Sequence, residues 1–116
     1  MFAAIDYLEA NPTEIVATGV CWSAAVPVLA SGVRRFITPR CRVMVHPLGQ
    51  IADPGRRTAT ELVQDVQELK RMKAEYCRIL GRRTKRSAKW WAGAMEAETW
   101  MTARESLRCG LADEVL

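Results

Sequence analysis

The stretch from Ile15 to Val33 carries no charged side chain, and this constrains the chain more than any other feature. It is long enough to cross a bilayer as one helix. Its interior argues against that. Gly19, Ser23, Pro27, Ser31 and Gly32 interrupt it, and its character changes midway from Ile-Val-Ala-Thr to Ala-Ala-Val-Pro-Val-Leu-Ala. A buried strand, a turn and a buried helix fit this pattern better than a membrane span. Met1 to Glu9 has no basic n-region and carries Asp6, so it does not read as a signal peptide. The expected protein is soluble and cytoplasmic.

The rest of the chain alternates helix and strand signals. Phe2 to Glu9 reads as a helix with Ile5 and Leu8 on one face, ended by Asn11-Pro12. Glu14 to Val20 is rich in β-branched residues and reads as a strand. Ser23 to Ser31 reads as a short helix stopped by Gly32, with Pro27 uneasy inside it. Short strands are expected near Arg35 to Thr38 and Arg42 to His46, then a loop from Pro47 to Arg57. Thr58 to Leu80 is the clearest helix. Thr58 and Glu61 form a capping box, and Leu62, Val66, Leu69, Met72, Tyr76 and Leu80 recur at steps of three and four. Gly81 is the expected stop. At a rise of about 1.5 Å per residue the helix is roughly 30 Å long, unusual in so small a chain. Its apolar stripe can pack on its own domain or on a neighbouring subunit. Further helices are expected over Ser87 to Met95 and from Thr102, where Thr102 and Glu105 repeat the capping box, to Gly110. Leu111 to Leu116 ends the chain as loop or strand. This alternation indicates an α/β fold within a single domain, residues 1–116.

Composition narrows the chemistry. With 49% hydrophobic and 26% charged residues, the chain is an ordinary globular sequence rather than a disordered one. The formal net charge of +4 is too weak to argue for nucleic acid by itself. There is one histidine, His46, so a histidine-rich metal site is excluded. Cys21, Cys41, Cys77 and Cys109 form no C-x-x-C motif and sit in apolar contexts, which suggests buried free thiols in a reducing compartment.

Ser23 falls where a buried strand gives way to a helix. A nucleophile there sits beside free backbone N–H groups able to stabilise an oxyanion. Serine needs a base, and His46, at a strand end, is the only imidazole available. A carboxylate would orient that imidazole, but spacing does not choose among the many present. The bland alternatives are a serine that merely caps the helix and a structural histidine.

Several ordered segments carry a family resemblance. Gly19-Val-Cys-Trp-Ser23, Leu29-Ala-Ser-Gly32, Arg35-Phe-Ile-Thr-Pro39, Arg42-Val-Met-Val-His46-Pro-Leu-Gly49, Trp100-Met-Thr-Ala and Gly110-Leu-Ala-Asp113 together resemble the Clp protease proteolytic subunit (ClpP) family. The resemblance runs from about Ala3 to Leu116. It implies the ClpP/crotonase-like fold, stacked β-β-α units with a long handle helix that mediates ring-to-ring contacts, here Thr58 to Leu80. It also implies a serine endopeptidase needing no metal or organic cofactor for bond cleavage. Ser23 matches the nucleophile, His46 the general base, and the N–H of Ala24 one oxyanion donor. Glu98, two residues before Trp100, stands where the family has Asp, with Glu96 as a fallback. Asp113 matches a terminal turn residue rather than the acid. The implied partners are an unfolded protein or peptide substrate, a homo-oligomeric ring or a mixed ring with a complete paralogue, and an AAA+ unfoldase ATPase. No membrane partner is implied.

The departures shape the alternatives. Cys21-Trp22 replaces small residues before the nucleophile, and Pro47 stands where the family has Gln. The family also has an N-terminal portion with a Ser-Pro-Gly-Gly segment, whose glycine supplies the second oxyanion donor. Met1 is expected to begin after it, and losing such a donor typically costs about 10²–10³ in rate. These features favour a non-catalytic ring subunit as the alternative. The stretch Glu98-Thr-Trp-Met-Thr-Ala also resembles phage head-maturation proteases related to ClpP. Arg82, Arg83, Lys85, Arg86 and Lys89 form a basic cluster beside Trp90 and Trp91, read as a solvated helix connection or, more sharply, a patch for phosphate or an acidic partner.

Overall fold

The computed structural model describes residues 1–49 and 58–116. Most of the expected loop from Pro47 to Arg57 lies outside the described residues. After α1 (Phe2–Ala10), the chain forms β1 (Glu14–Ala17), β2 (Val20–Trp22) and α2 (Ala25–Ala30). It then repeats that order with β3 (Arg34–Ile37), β4 (Arg42–Val45) and α3 (Ala59–Arg83). The chain closes with α4 (Ala88–Glu96), β5 (Thr99–Met101), α5 (Ala103–Arg108) and β6 (Glu114–Val115).

The first strand of each β-β-α unit joins one sheet and the second joins another. The orders are β1-β3-β6 and β2-β4-β5. β1 pairs with β3, and β2 with β4, in parallel, while β5 returns antiparallel to β4. The α/β architecture of stacked β-β-α units with a long helix is therefore present. The expected strand from Glu14 to Val20 is in fact two. Gly19, at φ 65°, takes a left-handed conformation that sends the chain from one sheet to the other. β5 carried no clear alternation signal, being only three residues long.

Val26, Leu29, Ile37, Val43, Val45, Leu80, Trp91, Met95 and Leu111 fill the core between the layers. Pro27 proves easy to place. It is the third residue of α2, and the N–H groups of a first helical turn have no intrahelical acceptor, so its missing donor costs nothing there. Among the described residues no helix is long and apolar enough to cross a membrane.

The capping box at Thr58 opens α3 as expected, with Thr58 Oγ1 accepting from the Glu61 N–H and the Glu61 carboxylate accepting from the Thr58 N–H. Gly81, however, does not stop it. The helix runs on to Arg83. A Cβ at Gly81 would lie 2.7 Å from the backbone nitrogen of Ala88, so glycine there lets α4 cross close to α3. The two ends of α3 differ. Tyr76, Cys77, Ile79 and Leu80 are buried, whereas Leu62, Val63 and Val66 are each more than half exposed.

The buried end is anchored by an arginine network. Arg83 donates to the carbonyls of Ala30, at 2.9 Å, and Gly32, at 2.7 Å, satisfying acceptors that the end of α2 leaves open. Arg35 donates to the Arg83 carbonyl at 2.7 Å and to both carboxylate oxygens of Asp113. Asp113 also accepts from the Arg35 N–H at 2.8 Å. The Arg35 side-chain hydrogen bond is the main force holding the Asp113 carboxyl below its ordinary range. Asp113 thus closes the C-terminal turn onto β3.

Candidate active site

Ser23 follows β2 directly and has φ 54°. A left-handed conformation is uncommon for a residue with a β-carbon, and it costs about 1–3 kcal/mol. Three main-chain hydrogen bonds hold it. The Ser23 N–H donates to the Met44 carbonyl at 2.8 Å, extending the β2–β4 ladder by one step. The Ser23 carbonyl accepts from the Val26 N–H at 3.1 Å and from the Tyr76 hydroxyl at 2.9 Å.

The helix-cap reading of Ser23 does not survive. Ala24 is the cap residue of α2, and no side chain caps that end. Among the described residues the Ser23 hydroxyl has no hydrogen-bond partner, and neither does the Ala24 N–H. A strand thus turns sharply into a helix and leaves a hydroxyl and an adjacent N–H uncommitted.

His46 follows β4, and Glu98 precedes β5. The antiparallel register ends at the pair Val45 and Thr99, so His46 and Glu98 are the next residues beyond that pair on adjacent strands. Glu98 also has a left-handed φ, 51°. Ser23, His46 and Glu98 therefore share one end of the β2-β4-β5 sheet. No hydrogen bond joins them among the described residues. His46 Nδ1 instead lies 2.6 Å from the Pro47 carbonyl. A carbonyl only accepts, so in the neutral imidazole this contact places the proton on Nδ1 and leaves a lone pair on Nε2. Glu96, the fallback acid, pairs with Lys73 on α3. Trp22, next to Ser23, lies on the exposed sheet face, edge-on to Trp100 at 5.7 Å between ring centroids.

A family model described as Clp protease matches residues 1–116. The chain belongs to the Clp protease family. It is 33% identical over its full length to an ATP-dependent Clp protease proteolytic subunit 2 of Streptomyces avermitilis, covering 58% of that protein. It is 32% identical over 99% of its length to subunit 1 of Protochlamydia amoebophila, covering 57%. A Chlorella vulgaris proteolytic subunit is 30% identical over 99% of the chain, which covers 56% of it. The chain therefore spans less than two-thirds of the length of these Clp protease relatives.

The structure of this Clp protease family member also contains features that the sequence pattern missed. Tyr76 reads as one more apolar residue in the helix stripe, yet its hydroxyl reaches the Ser23 carbonyl. A polar tip in an otherwise apolar stripe was the available signal. Nothing marked Pro47 as the imidazole's partner, because any residue has a carbonyl. The four thiols are free and buried. Burial, with Cys41 nearby, pushes the Cys21 thiol up to about 12, so Cys21 is a poor candidate nucleophile at neutral pH.

The basic cluster is largely committed to the fold. Arg82 pairs with Glu9 at 2.8 Å, Arg83 holds the end of α2, and the Arg86 guanidinium lies 4.9 Å from the Trp90 ring centre. Trp91 is buried and donates to Thr84 Oγ1 at 2.8 Å, whereas Trp90 is half-buried and packs edge-on against it.

Proposed function

We propose that this chain carries the serine-peptidase centre of a Clp-type proteolytic subunit and that residues 1–116 belong to one domain. The reading rests above all on Ser23, an uncommitted hydroxyl on a left-handed strand-to-helix turn, at the same sheet end as His46 and Glu98. Its oxygen attacks the carbonyl carbon of a peptide bond while its proton passes to His46 Nε2. The Ala24 N–H donates to the developing oxyanion. Collapse of the tetrahedral intermediate breaks the C–N bond, and the imidazolium returns the proton to the leaving amine. Water then attacks the acyl-serine through the same base. Glu98 is the carboxylate assigned to stabilise the imidazolium, and the Pro47 carbonyl holds Nδ1–H in the resting state. Family membership supports a polypeptide substrate, assembly in a ring through the exposed half of α3, and delivery of substrate by an ATP-driven unfoldase.

Fluorophosphonate labelling of the purified chain, located by peptide mass spectrometry, tests the chemistry. The expected result is one adduct on Ser23, absent in Ser23→Ala. A folded chain that takes up no label is instead a non-catalytic member of a ring, and the peptidase assignment then falls.

A further inference from the structure

We infer that Tyr76 is a positioning residue for the nucleophile: its hydroxyl grips the main-chain carbonyl of Ser23 and so fixes the turn that presents the serine. This rests on Ser23 acting as the nucleophile. Tyr76 sits in the buried end of α3 and is only 1% exposed. A phenol in such a place needs an acceptor, and of all the groups around it the one it meets, at 2.9 Å, is Ser23 O. The Ser23 carbonyl has two lone pairs. One takes the Val26 N–H and the other takes Tyr76.

The consequence follows from the left-handed φ of Ser23. The Ser23 N–H is fixed to Met44 O on the sheet, so relaxation of the strained residue has to swing the carbonyl side of its Cα. That movement redirects the Cα–Cβ bond and displaces Oγ. Tyr76 opposes it, because swinging the carbonyl away would leave the phenol buried without an acceptor. Burial first, then Cys21 and Cys77, raises the phenol pKa above its ordinary value. The hydroxyl therefore stays protonated, and remains a donor, throughout the neutral range.

The test measures the rate of Ser23 labelling by a fluorophosphonate against probe concentration in the parent chain, Tyr76→Phe, Tyr76→Met and Thr84→Val. Phe and Met both fill the site without a hydroxyl, so a packing failure in one leaves the other to decide. Thr84 Oγ1 accepts from Trp91 Nε1 and donates to the Leu80 carbonyl at 2.6 Å. Thr84→Val thus breaks comparable hydrogen bonds that do not touch Ser23. In the Tyr76 variants the limiting rate is expected to fall about 10- to 100-fold, as for a misplaced reacting group. The half-saturating probe concentration should stay unchanged. Thr84→Val should lower the unfolding temperature yet keep the limiting rate. Tyr76 variants that label within about twofold of the parent overturn the inference, as does an equal loss in Thr84→Val. An unlabelled parent chain is a different result, because it removes the Ser23 assignment itself.

Discussion

The Ser23 turn and the His46–Glu98 turn lie at the same sheet end but are held very differently. Ser23 is tied by its N–H to β4 and by its carbonyl to both α2 and α3. Among the described residues the His46 ring has one hydrogen bond, to the next residue in the chain, and Glu98 is exposed with a strained backbone. The main chain of Ser23 is held by three elements of the core. The His46–Glu98 turn is held by the β4–β5 register and by a local bond from the Glu98 N–H to the Met95 carbonyl at 3.0 Å. Placement of the serine therefore depends on how α3 docks, whereas orientation of the imidazole depends on a choice between a main-chain carbonyl and a carboxylate.

The sharpest way to break this contrast is at the base. His46→Ala should slow fluorophosphonate labelling of Ser23 by about 10²–10⁴, the usual contribution of a positioned general base. Labelling that survives unchanged would mean that Ser23 draws its reactivity from the turn alone.

The anchored side can be loosened at its foundation. Asp113→Asn should lower the unfolding free energy by about 1–2 kcal/mol, because Arg35 is mostly buried while solvent screens the half-exposed carboxylate. The sign with pH is defined. Asp113 titrates lower in the folded chain than unfolded, so its contribution is complete above the unfolded value, about 3.9, and is lost as pH falls through the folded value. Denaturant unfolding of both chains at neutral and strongly acidic pH checks this, with the difference shrinking in acid.

Gly81→Ala should also destabilise, by about 1–2 kcal/mol in thermal or denaturant unfolding. In an open helix the same change stabilises by about 1 kcal/mol. Here the added carbon meets the Ala88 backbone at 2.7 Å, and backbone cannot yield as a flexible side chain can.

Glu98→Gln is the mildest and most discriminating change. Removing the carboxylate of a tightly built triad costs about 10⁴. With Nδ1–H already on the Pro47 carbonyl, a loss of only about tenfold in labelling rate is expected. A loss near the larger figure would show that Glu98, not Pro47, orients the imidazole during reaction.

Much of this molecule was legible in local patterns. The capping box at Thr58, the Thr102 hydroxyl cap on the Glu105 N–H, the glycine turn at Gly110 and the alternation in Arg42–Val45 all describe residues within one turn or one strand of each other. Ser23 and His46 could be singled out as candidates because each lies beside a strand-end signal. Gly81 misled, because a glycine that ends a helix and one that admits a neighbouring helix look identical in sequence. Pro27 misled for a related reason, since its cost depends on which turn of the helix it occupies.

From its residue order alone the chain had an α/β build, a long helix and two chemically apt residues, because periodicity and capping act over a few positions. Only the tertiary structure brought Glu98 and His46 to the same end of adjacent strands, turned Nδ1 onto Pro47 and brought Tyr76, 53 positions away in sequence, to the Ser23 carbonyl. Those relations depend on strand register and on the angle at which α3 meets the sheets. Both are decided by how the whole core packs, and no local pattern records them.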